Sequence, residues 1–274
     1  MNSTIAQQPL QTLLQNLGLS TFVANYYTLA EEFEREKKTN IDYLQELALR
    51  EAEYRCQQRI KRLLKQAKLP RNKLLKDFDV QRIPGLSSTT IQQLARGDFI
   101  DRYENIIIFG NSGSGKTHLS IALGREWCLL GRKIYFVTAA NLVQQLLQAK
   151  LKLTLEDFIK KLDKFEVILI DDISYIPYER NETDVLFQLL ASRYEMRSIL
   201  ITSNLAFGDW KTIFKDEVTA NATIDRLVHH SKILELNVID SYRLEWAKLK
   251  REQEKNQESQ QQLPINKINH VIYL

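Results

Sequence analysis

Apolar residues recur at two different periods along the chain, and the change of period divides it into two regions. Between Leu10 and Ala67 they follow the spacing of helices. From Asn105 onward, short β-branched runs alternate with helical stretches, a pattern that is typical of parallel strands connected by helices. We therefore expect an α/β fold preceded by a small all-helical module.

The β-branched runs are apolar at consecutive positions, which indicates strands that are buried on both faces of a parallel sheet. Five strands are predicted, at residues 105–109, 133–138, 167–170, 199–202 and 232–236. We expect a helical N-terminal module (1–76), a linker around a Pro-Gly turn (77–100), an α/β domain (101–250) and a polar C-terminal tail (251–274).

The composition is that of a globular protein able to bury a large core. Of 274 residues, 44% are hydrophobic and 26% are charged, with only 9 Gly and 5 Pro. No apolar run reaches the roughly 18 to 20 residues of a membrane helix, and the N-terminus lacks the pattern of a secretory signal, so we expect a cytoplasmic protein without a membrane partner. The distant cysteines, Cys56 and Cys128, argue against a zinc site or a disulfide framework.

Positive charge is concentrated in one segment, although the formal net charge of the chain is only +4. Nine basic residues and no acidic residue occur between Arg55 and Lys76. Such a run is either a solvated helix face or a surface that contacts the phosphates of a nucleic acid, and the sequence leaves both possibilities open. The candidate phosphate contacts here are Arg55, Arg59, Arg62 and Lys65.

A glycine-rich loop follows the first predicted strand and precedes an apolar-periodic helix. Its sequence, GNSGSGKT, matches the pattern GxxxxGK(S/T) in the strand, loop and helix context that a phosphate-binding loop requires. Glycines let backbone amides face a phosphate, Lys116 is expected to neutralise β- and γ-phosphate oxygens, and Thr117 is expected to bind Mg²⁺. The alternative is a turn that merely joins the strand to the helix. The candidate contacts are Gly110, Asn111, Ser112, Gly113, Ser114, Gly115, Lys116, Thr117 and His118.

Two later strands end in polar residues that would complete such a site. Asp171 and Asp172 follow the strand VILI, where Asp171 would orient Mg²⁺ and Asp172 would act as the base for an attacking water. Asn204 follows the strand SILITS and would hold that water if its strand lay between the other two. The alternatives are acids that cap a strand and ordinary turn residues. Because no guanine-reading NKxD sequence is present, we expect ATP rather than GTP.

Four segments, taken together, resemble one known family. The sequences GNSGSGKTHL, LIDDISYIP, LITSNLAFGDW and IDRLVHHSKILEL are similar, in order and spacing, to the IstB-like helper ATPases of insertion-sequence transposons. These are AAA+ proteins related to the DnaC-like helicase loaders. The resemblance implies a three-layer AAA+ sandwich over residues 101–250, ATP-dependent assembly on DNA as a homo-oligomer, and cooperation with a partner transposase.

The resemblance also gives roles to individual residues. Lys116 and Thr117 match the Walker A pair, Asp171 and Asp172 match the Walker B pair, and Asn204 matches the first sensor. In many AAA+ enzymes the second Walker B acid is Glu. Asp172 is shorter by one methylene, so we expect slow hydrolysis.

Three further regions receive roles in the same way. Arg226 resembles an arginine finger that reaches the γ-phosphate of a neighbouring subunit, with a surface ion pair to Asp225 as the alternative. Arg243 resembles a second-sensor arginine, with a helix-surface role as the alternative. Lys150 and Lys152 lie where initiator-type AAA+ proteins carry a DNA-facing element, so we expect sequence-tolerant phosphate contacts from them.

The sequence therefore predicts a DNA-binding AAA+ ATPase that assists a transposase. A loader of a replicative helicase is the alternative within the same enzyme class. An ATP-gated DNA scaffold that hardly hydrolyses ATP is the alternative outside it.

Overall fold

A computed structural model describes residues 9–174, 178–212, 225 and 227–237. The chain separates into two units, Met1–Gln66 with Cys128–Gly131, and Ala67–Trp127 with Arg132–Leu274. Within the described residues no helix is both long enough and apolar enough to span a bilayer.

The first unit is helical, as predicted. It contains α1 (Leu10–Asn16), α2 (Ser20–Arg35) and α3 (Asn40–Gln66). Leu14, Leu29 and Leu47 are buried, one from each helix, which indicates a common apolar seam. The buried carboxylate of Glu51 on α3 accepts hydrogen bonds from the amide and the hydroxyl of Thr21 on α2, and these bonds fix the register of the two helices.

The segment 77–100, expected to be a linker, is folded instead. Two 3₁₀ turns, Leu75–Asp77 and Val80–Arg82, are followed by α4 (Ser88–Arg96) and α5 (Asp98–Asp101). Trp127 donates a hydrogen bond from its indole Nε1 to the Leu94 carbonyl at 2.9 Å, and its ring packs 4.9 Å from that of Phe99. Because these side chains are buried, the segment belongs to the core of the second unit rather than to a connection.

The second unit is built around a parallel sheet of five strands, which confirms the predicted α/β fold. The strands are β1 (Asn105–Phe109), β2 (Ile134–Thr138), β3 (Val167–Asp171), β4 (Ser198–Ser203) and β5 (Ser231–Glu235), in the spatial order β2-β3-β4-β1-β5. The connecting helices include α6 (Lys116–Leu129), α7 (Ala139–Leu151), α8 (Leu155–Leu162) and α9 (Arg180–Arg193).

The strand order has one consequence for the site. β4 lies between β1 and β3. This is the position in which Asn204 was expected to approach the other polar residues. Every residue of β3 and β4 is buried, which explains the uninterrupted apolar runs VILI and ILI within them. The carboxyl ends of all strands lie at one edge of the sheet, and ligands bind at this edge in such folds.

A buried arginine stabilises the opposite edge. The guanidinium of Arg193, at the end of α9, is fully buried, and burial lowers its pKa to about 10, which leaves it protonated at neutral pH. Its two terminal nitrogens donate hydrogen bonds of 2.9 to 3.3 Å to the turn that follows α8 and to the start of β4. The acceptors are the carbonyls of Leu162, Phe165, Glu166 and Ser198 and the carboxylate of Asp163.

We expect Arg193→Met to lower the free energy of unfolding by about 3 kcal/mol, because it leaves several buried carbonyls without a donor. Urea unfolding followed by circular dichroism measures the change. Arg197→Met is the matched control, since Arg197 is only partly buried and donates to the Asp163 and Met196 carbonyls. Equal losses in the two variants would contradict the role assigned to Arg193.

Candidate nucleotide-binding site

The loop between β1 and α6 folds into a cradle that only glycine permits at key positions. Gly110, Gly113 and Gly115 have φ angles of 147°, 82° and 94°. A Cβ on Gly110 would lie 2.0 Å from the carbonyl oxygen of Leu236, at the end of β5. The glycine pattern is therefore a steric requirement of this turn as well as a means of exposing backbone amides.

Lys116 is folded under this cradle. It is 7% exposed, and its Nζ donates hydrogen bonds to the carbonyls of Gly110 (2.7 Å) and Asn111 (2.8 Å). Because α6 begins at Lys116, the amides of its first turn point toward the same space and bring the positive end of the helix dipole with them. An ammonium group and a helix N-terminus thus converge, which is an arrangement suited to a phosphate group.

Asp171 and the hydroxyl of Thr117 meet beside the cradle. One carboxylate oxygen of Asp171, Oδ2, accepts a hydrogen bond from Thr117 Oγ1 at 3.2 Å. The other oxygen, Oδ1, accepts one from the Thr202 hydroxyl at 2.7 Å. A hydroxyl and a carboxylate next to a phosphate cradle form the hard-oxygen donor set that Mg²⁺ prefers, so these residues fit that cation.

Thr202 connects the two acidic residues. The hydroxyl that donates to Asp171 also accepts a hydrogen bond from the Asp172 amide at 2.8 Å. Asp172 has a φ of 59°, in the left-handed region that non-glycine residues rarely adopt. The buried Thr202 hydroxyl therefore fixes both the side chain of one acid and the backbone of the other.

Asp172 and Asn204 are brought together as the strand order predicted. Asp172 Oδ1 accepts hydrogen bonds from Asn204 Nδ2 at 3.0 Å and from the Ser174 hydroxyl at 3.3 Å. The same Ser174 hydroxyl accepts the Asn204 amide at 2.8 Å. The pKa of Tyr178 is raised mainly because its side chain is buried, and to a lesser degree because the Asp172 carboxylate is nearby. Its phenol therefore stays protonated at neutral pH.

Lys116, Thr117, Asp172, Thr202 and Asn204 line one cleft of about 580 Å³, a size that suits a nucleotide. The cleft also includes Asn72 and Lys73, which precede the segment 77–100, and Asp77, which is its first residue. None of these three was predicted as a site residue. The lining residues are Asn72, Lys73, Asp77, Ser112, Gly113, Gly115, Lys116, Thr117, His118, Asp172, Thr202 and Asn204.

Contacts with His118 and Gly115 hold the segment Leu74–Phe78 against the glycine-rich loop. His118 Nε2 lies 2.9 Å from the Leu74 carbonyl, at hydrogen-bond distance, and its ring centroid lies 5.8 Å from that of Phe78. A Cβ on Gly115 would come within 3.0 Å of the Phe78 ring. His118, which was expected to contact the cofactor, therefore holds this segment in place, and no local sequence pattern indicated that contact.

The remaining predicted residues have different placements. Arg226 and Arg243 lie outside the described residues. On α3, Arg59, Arg62 and Lys65 are exposed, and so is Arg55, which forms an ion pair with Glu51 (2.7 Å) that the basic run alone did not reveal. At the end of α7, Lys150 is half-buried and Lys152 is exposed.

The sequence pattern of the IstB-like ATP binding protein family matches residues 12–250. An insertion-sequence ATP-binding protein of Sinorhizobium fredii is 38% identical over 89% of this chain and 82% of its own length. The IS5376 ATP-binding protein of Geobacillus stearothermophilus is 42% identical over 72% and 78%, and the IS21 ATP-binding protein of Pseudomonas aeruginosa is 37% identical over 86% and 88%.

Solved structures share the fold of about two thirds of this chain. AMPPCP-bound DnaA from Aquifex aeolicus matches with a TM-score of 0.53 and 20% identity, over 68% of this chain and only 56% of the longer DnaA chain. DnaI matches with a TM-score of 0.51 and 20% identity, over 64% of this chain and 94% of its own. At this identity the likeness shows the fold alone, which is that of AAA+ P-loop proteins.

We expect Thr202→Val to lower the free energy of unfolding by about 1 to 3 kcal/mol, because valine has nearly the same shape but leaves the Asp172 amide and the buried Asp171 carboxylate without the hydroxyl. Thr202→Ser, which keeps the hydroxyl, is the matched control and should lose much less. Urea unfolding measures both variants. A valine variant as stable as wild type would show that this hydroxyl does not organise the acidic pair.

Proposed function

Because this chain belongs to the family of IstB-like ATP binding proteins, we propose that it is an ATPase that assembles on DNA with ATP and assists a transposase. The observation that supports hydrolysis most directly is the convergence of Thr117, Asp172 and Asn204 beside Lys116 in one cleft, with Asp171 hydrogen-bonded to Thr117. Binding of ATP alone would not require the pair Asp172 and Asn204.

The phosphates of ATP would be held by the loop and by Lys116. The Lys116 ammonium, which bonds two loop carbonyls, needs only to turn toward the cleft to meet the β- and γ-phosphate oxygens. The amides of the first turn of α6 add further donors. Thr117 and Asp171 would hold Mg²⁺, which when bound neutralises charge on the β- and γ-phosphates.

Asp172 and Asn204 would position the attacking water. The hydrogen bond between them keeps the carboxylate and the amide within reach of one water molecule. Thr202 would act as a positioning residue, because its hydroxyl fixes the backbone of Asp172. The short side chain of Asp172 would hold the water less closely than a glutamate, which supports slow hydrolysis.

Assembly would complete the catalytic site. We expect Arg226 to supply positive charge to the γ-phosphate of a neighbouring subunit and Arg243 to contact the nucleotide as a second sensor. An arginine supplied in trans makes hydrolysis depend on assembly, since an isolated subunit lacks that charge.

DNA would be bound through its phosphates. Arg59, Arg62 and Lys65 present exposed positive charge along α3, and Lys152 does so at the end of α7. Such contacts read no base sequence, so binding would tolerate sequence changes and weaken steeply with salt.

The partner would be a transposase. The relatives reported above, at 37% to 42% identity, are named as insertion-sequence ATP-binding proteins. None of these three relatives is named as a helicase loader, so the helicase-loader function has weaker support.

We expect Asp172→Asn to reduce the ATP hydrolysis rate by on the order of 100-fold, because the amide cannot accept a proton from the attacking water. Phosphate release at saturating ATP, Mg²⁺ and DNA measures the rate, and a fluorescent ATP analogue measures binding, which should persist. Asp98→Asn, at an exposed position in the first turn of α5, is the control. An unchanged rate in Asp172→Asn would remove the base assignment.

We expect the full chain, with ATP and a DNA duplex, to retain the transposase encoded by the same insertion sequence in a pull-down assay. Lys116→Ala should lose this retention, because ATP-dependent assembly requires the phosphate contacts. The replicative helicase of the same cell serves as the competing prey. Retention of the helicase without the transposase would favour the helicase-loader function.

A further inference from the structure

The hydroxyl of Ser174 connects the two residues that are proposed to position the attacking water. It donates a hydrogen bond to Asp172 Oδ1 at 3.3 Å and accepts one from the backbone amide of Asn204 at 2.8 Å. The side-chain amide of Asn204 donates to the same carboxylate oxygen at 3.0 Å. Ser174, Asp172 and Asn204 therefore form a closed hydrogen-bonded unit, which we call the Ser174 bridge.

The Ser174 bridge lies beyond the region in which the pairing of β3 with β4 fixes the chain. The ladder ends at the pair Ile170 and Ile201, and one further backbone bond of 3.0 Å follows it. Asn204 comes after the end of β4 and is exposed. An exposed side chain has several staggered rotamers and loses entropy when it is held in one of them. The hydrogen bonds of the Ser174 bridge supply the contacts that hold Asn204 in place.

Both side-chain bonds to Asp172 go to one carboxylate oxygen, which leaves the other oxygen available. The terminal torsion of a carboxylate is broad, so the two donors on Oδ1 fix its orientation. Among the described residues, no group donates to Asp172 Oδ2, and none donates to the side-chain oxygen of Asn204. Asn204 must turn its Nδ2 toward the carboxylate, because two acceptors would repel each other. One acceptor on each residue is thus left for the two hydrogens of a water molecule.

Ser174 itself does not line the nucleotide cleft. Among the described residues, the lining includes Asp172, Thr202 and Asn204 but not Ser174. Its hydroxyl therefore acts on its two neighbours rather than on a bound nucleotide. The Thr202 hydroxyl complements it, because Thr202 fixes the backbone of Asp172 whereas Ser174 fixes the side chain.

We propose that Ser174 is a positioning residue for ATP hydrolysis. Its hydroxyl orients its two neighbours so that Asp172 Oδ2 takes one proton of the attacking water while the Asn204 side-chain oxygen holds the other hydrogen. The water oxygen bonds to the γ-phosphorus, the bond from that phosphorus to the oxygen of the leaving ADP breaks, and ADP keeps the bonding electrons. This inference rests on the proposed ATPase function and adds a residue to it.

The short side chain of Asp172 makes this constraint important. An aspartate has one methylene fewer than a glutamate, so it has one torsion fewer with which to correct a wrong orientation. A misplacement of about 1 Å can cost on the order of 100-fold in rate. We therefore expect the hydroxyl that fixes the carboxylate to affect the chemical step rather than the binding of ATP.

The test measures ATP hydrolysis by the full chain at saturating Mg²⁺ and DNA. We expect Ser174→Ala to lower kcat by about tenfold and to leave KM for ATP within about twofold of wild type, because the phosphate contacts of Lys116 and the glycine-rich loop are intact. Ser174→Thr, which keeps the hydroxyl, should retain most of the rate. Ser192→Ala is the matched control, since the exposed Ser192 donates its hydrogen bond to the Leu189 carbonyl within α9.

A second measurement separates positioning from a general structural effect. In the Asp172→Asn background, Ser174→Ala should cause little further loss of rate, because the group through which Ser174 acts no longer takes a proton. A purely structural role would lower the rate by the same factor in both backgrounds. The melting temperature of every variant monitors its folding.

Three results would overturn this inference alone. An unchanged kcat in Ser174→Ala, where Asp172→Asn is impaired, would show that the hydroxyl does not orient the acid. A raised KM with an unchanged kcat would assign Ser174 to the binding of ATP. Equal losses in both backgrounds would assign it to the structure of the turn. Wild type that hydrolyses no ATP, or Asp172→Asn that hydrolyses it as wild type does, would refute the proposed function as well.

Discussion

The position of β4 between β1 and β3 is the constraint on which the nucleotide cleft depends. Parallel strands align their carboxyl ends, so this order brings the glycine loop after β1, the acids after β3 and Asn204 after β4 to one edge of the sheet. Hydrogen bonds then connect the start of α6 to β3, from Thr117 to Asp171, and β4 to the end of β3, from Thr202 to both acids. With β3 next to β1 instead, Thr202 could not occupy the position from which it joins them.

The fold was predictable as far as it depends on local pattern. All five strands begin and end within one residue of their predicted bounds, because buried parallel strands leave an unambiguous run of β-branched residues. The folded character of 77–100 was not predictable. Its proline, glycine and polar residues are typical of a linker. Its folded structure depends on Trp127, which lies 33 residues after Leu94, bonds to the Leu94 carbonyl and packs against Phe99 beyond the end of α4. Arg193 likewise looks like a surface arginine until the chain has folded around it.

The candidate site, like the fold, was predictable only as far as it depends on local sequence pattern. The residue types and spacing of the glycine loop and of the two aspartates were sufficient to bring Lys116, Thr117, Asp171, Asp172 and Asn204 together. The left-handed backbone of Asp172 and the role of Thr202 depend on hydrogen bonds between strands that are about 30 residues apart in the chain, and no local pattern records them.

Glycine is required at position 110 for two separate reasons. Its φ angle lets the phosphate cradle form, and its lack of a side chain lets the loop pass close to Leu236, just beyond the end of β5. Backbone atoms in contact have no flexible side chain between them to absorb a displacement, so any shift of the cradle must be shared by the edge strand. The phosphate cradle and the edge strand are therefore coupled directly through their backbones, without any dedicated hinge.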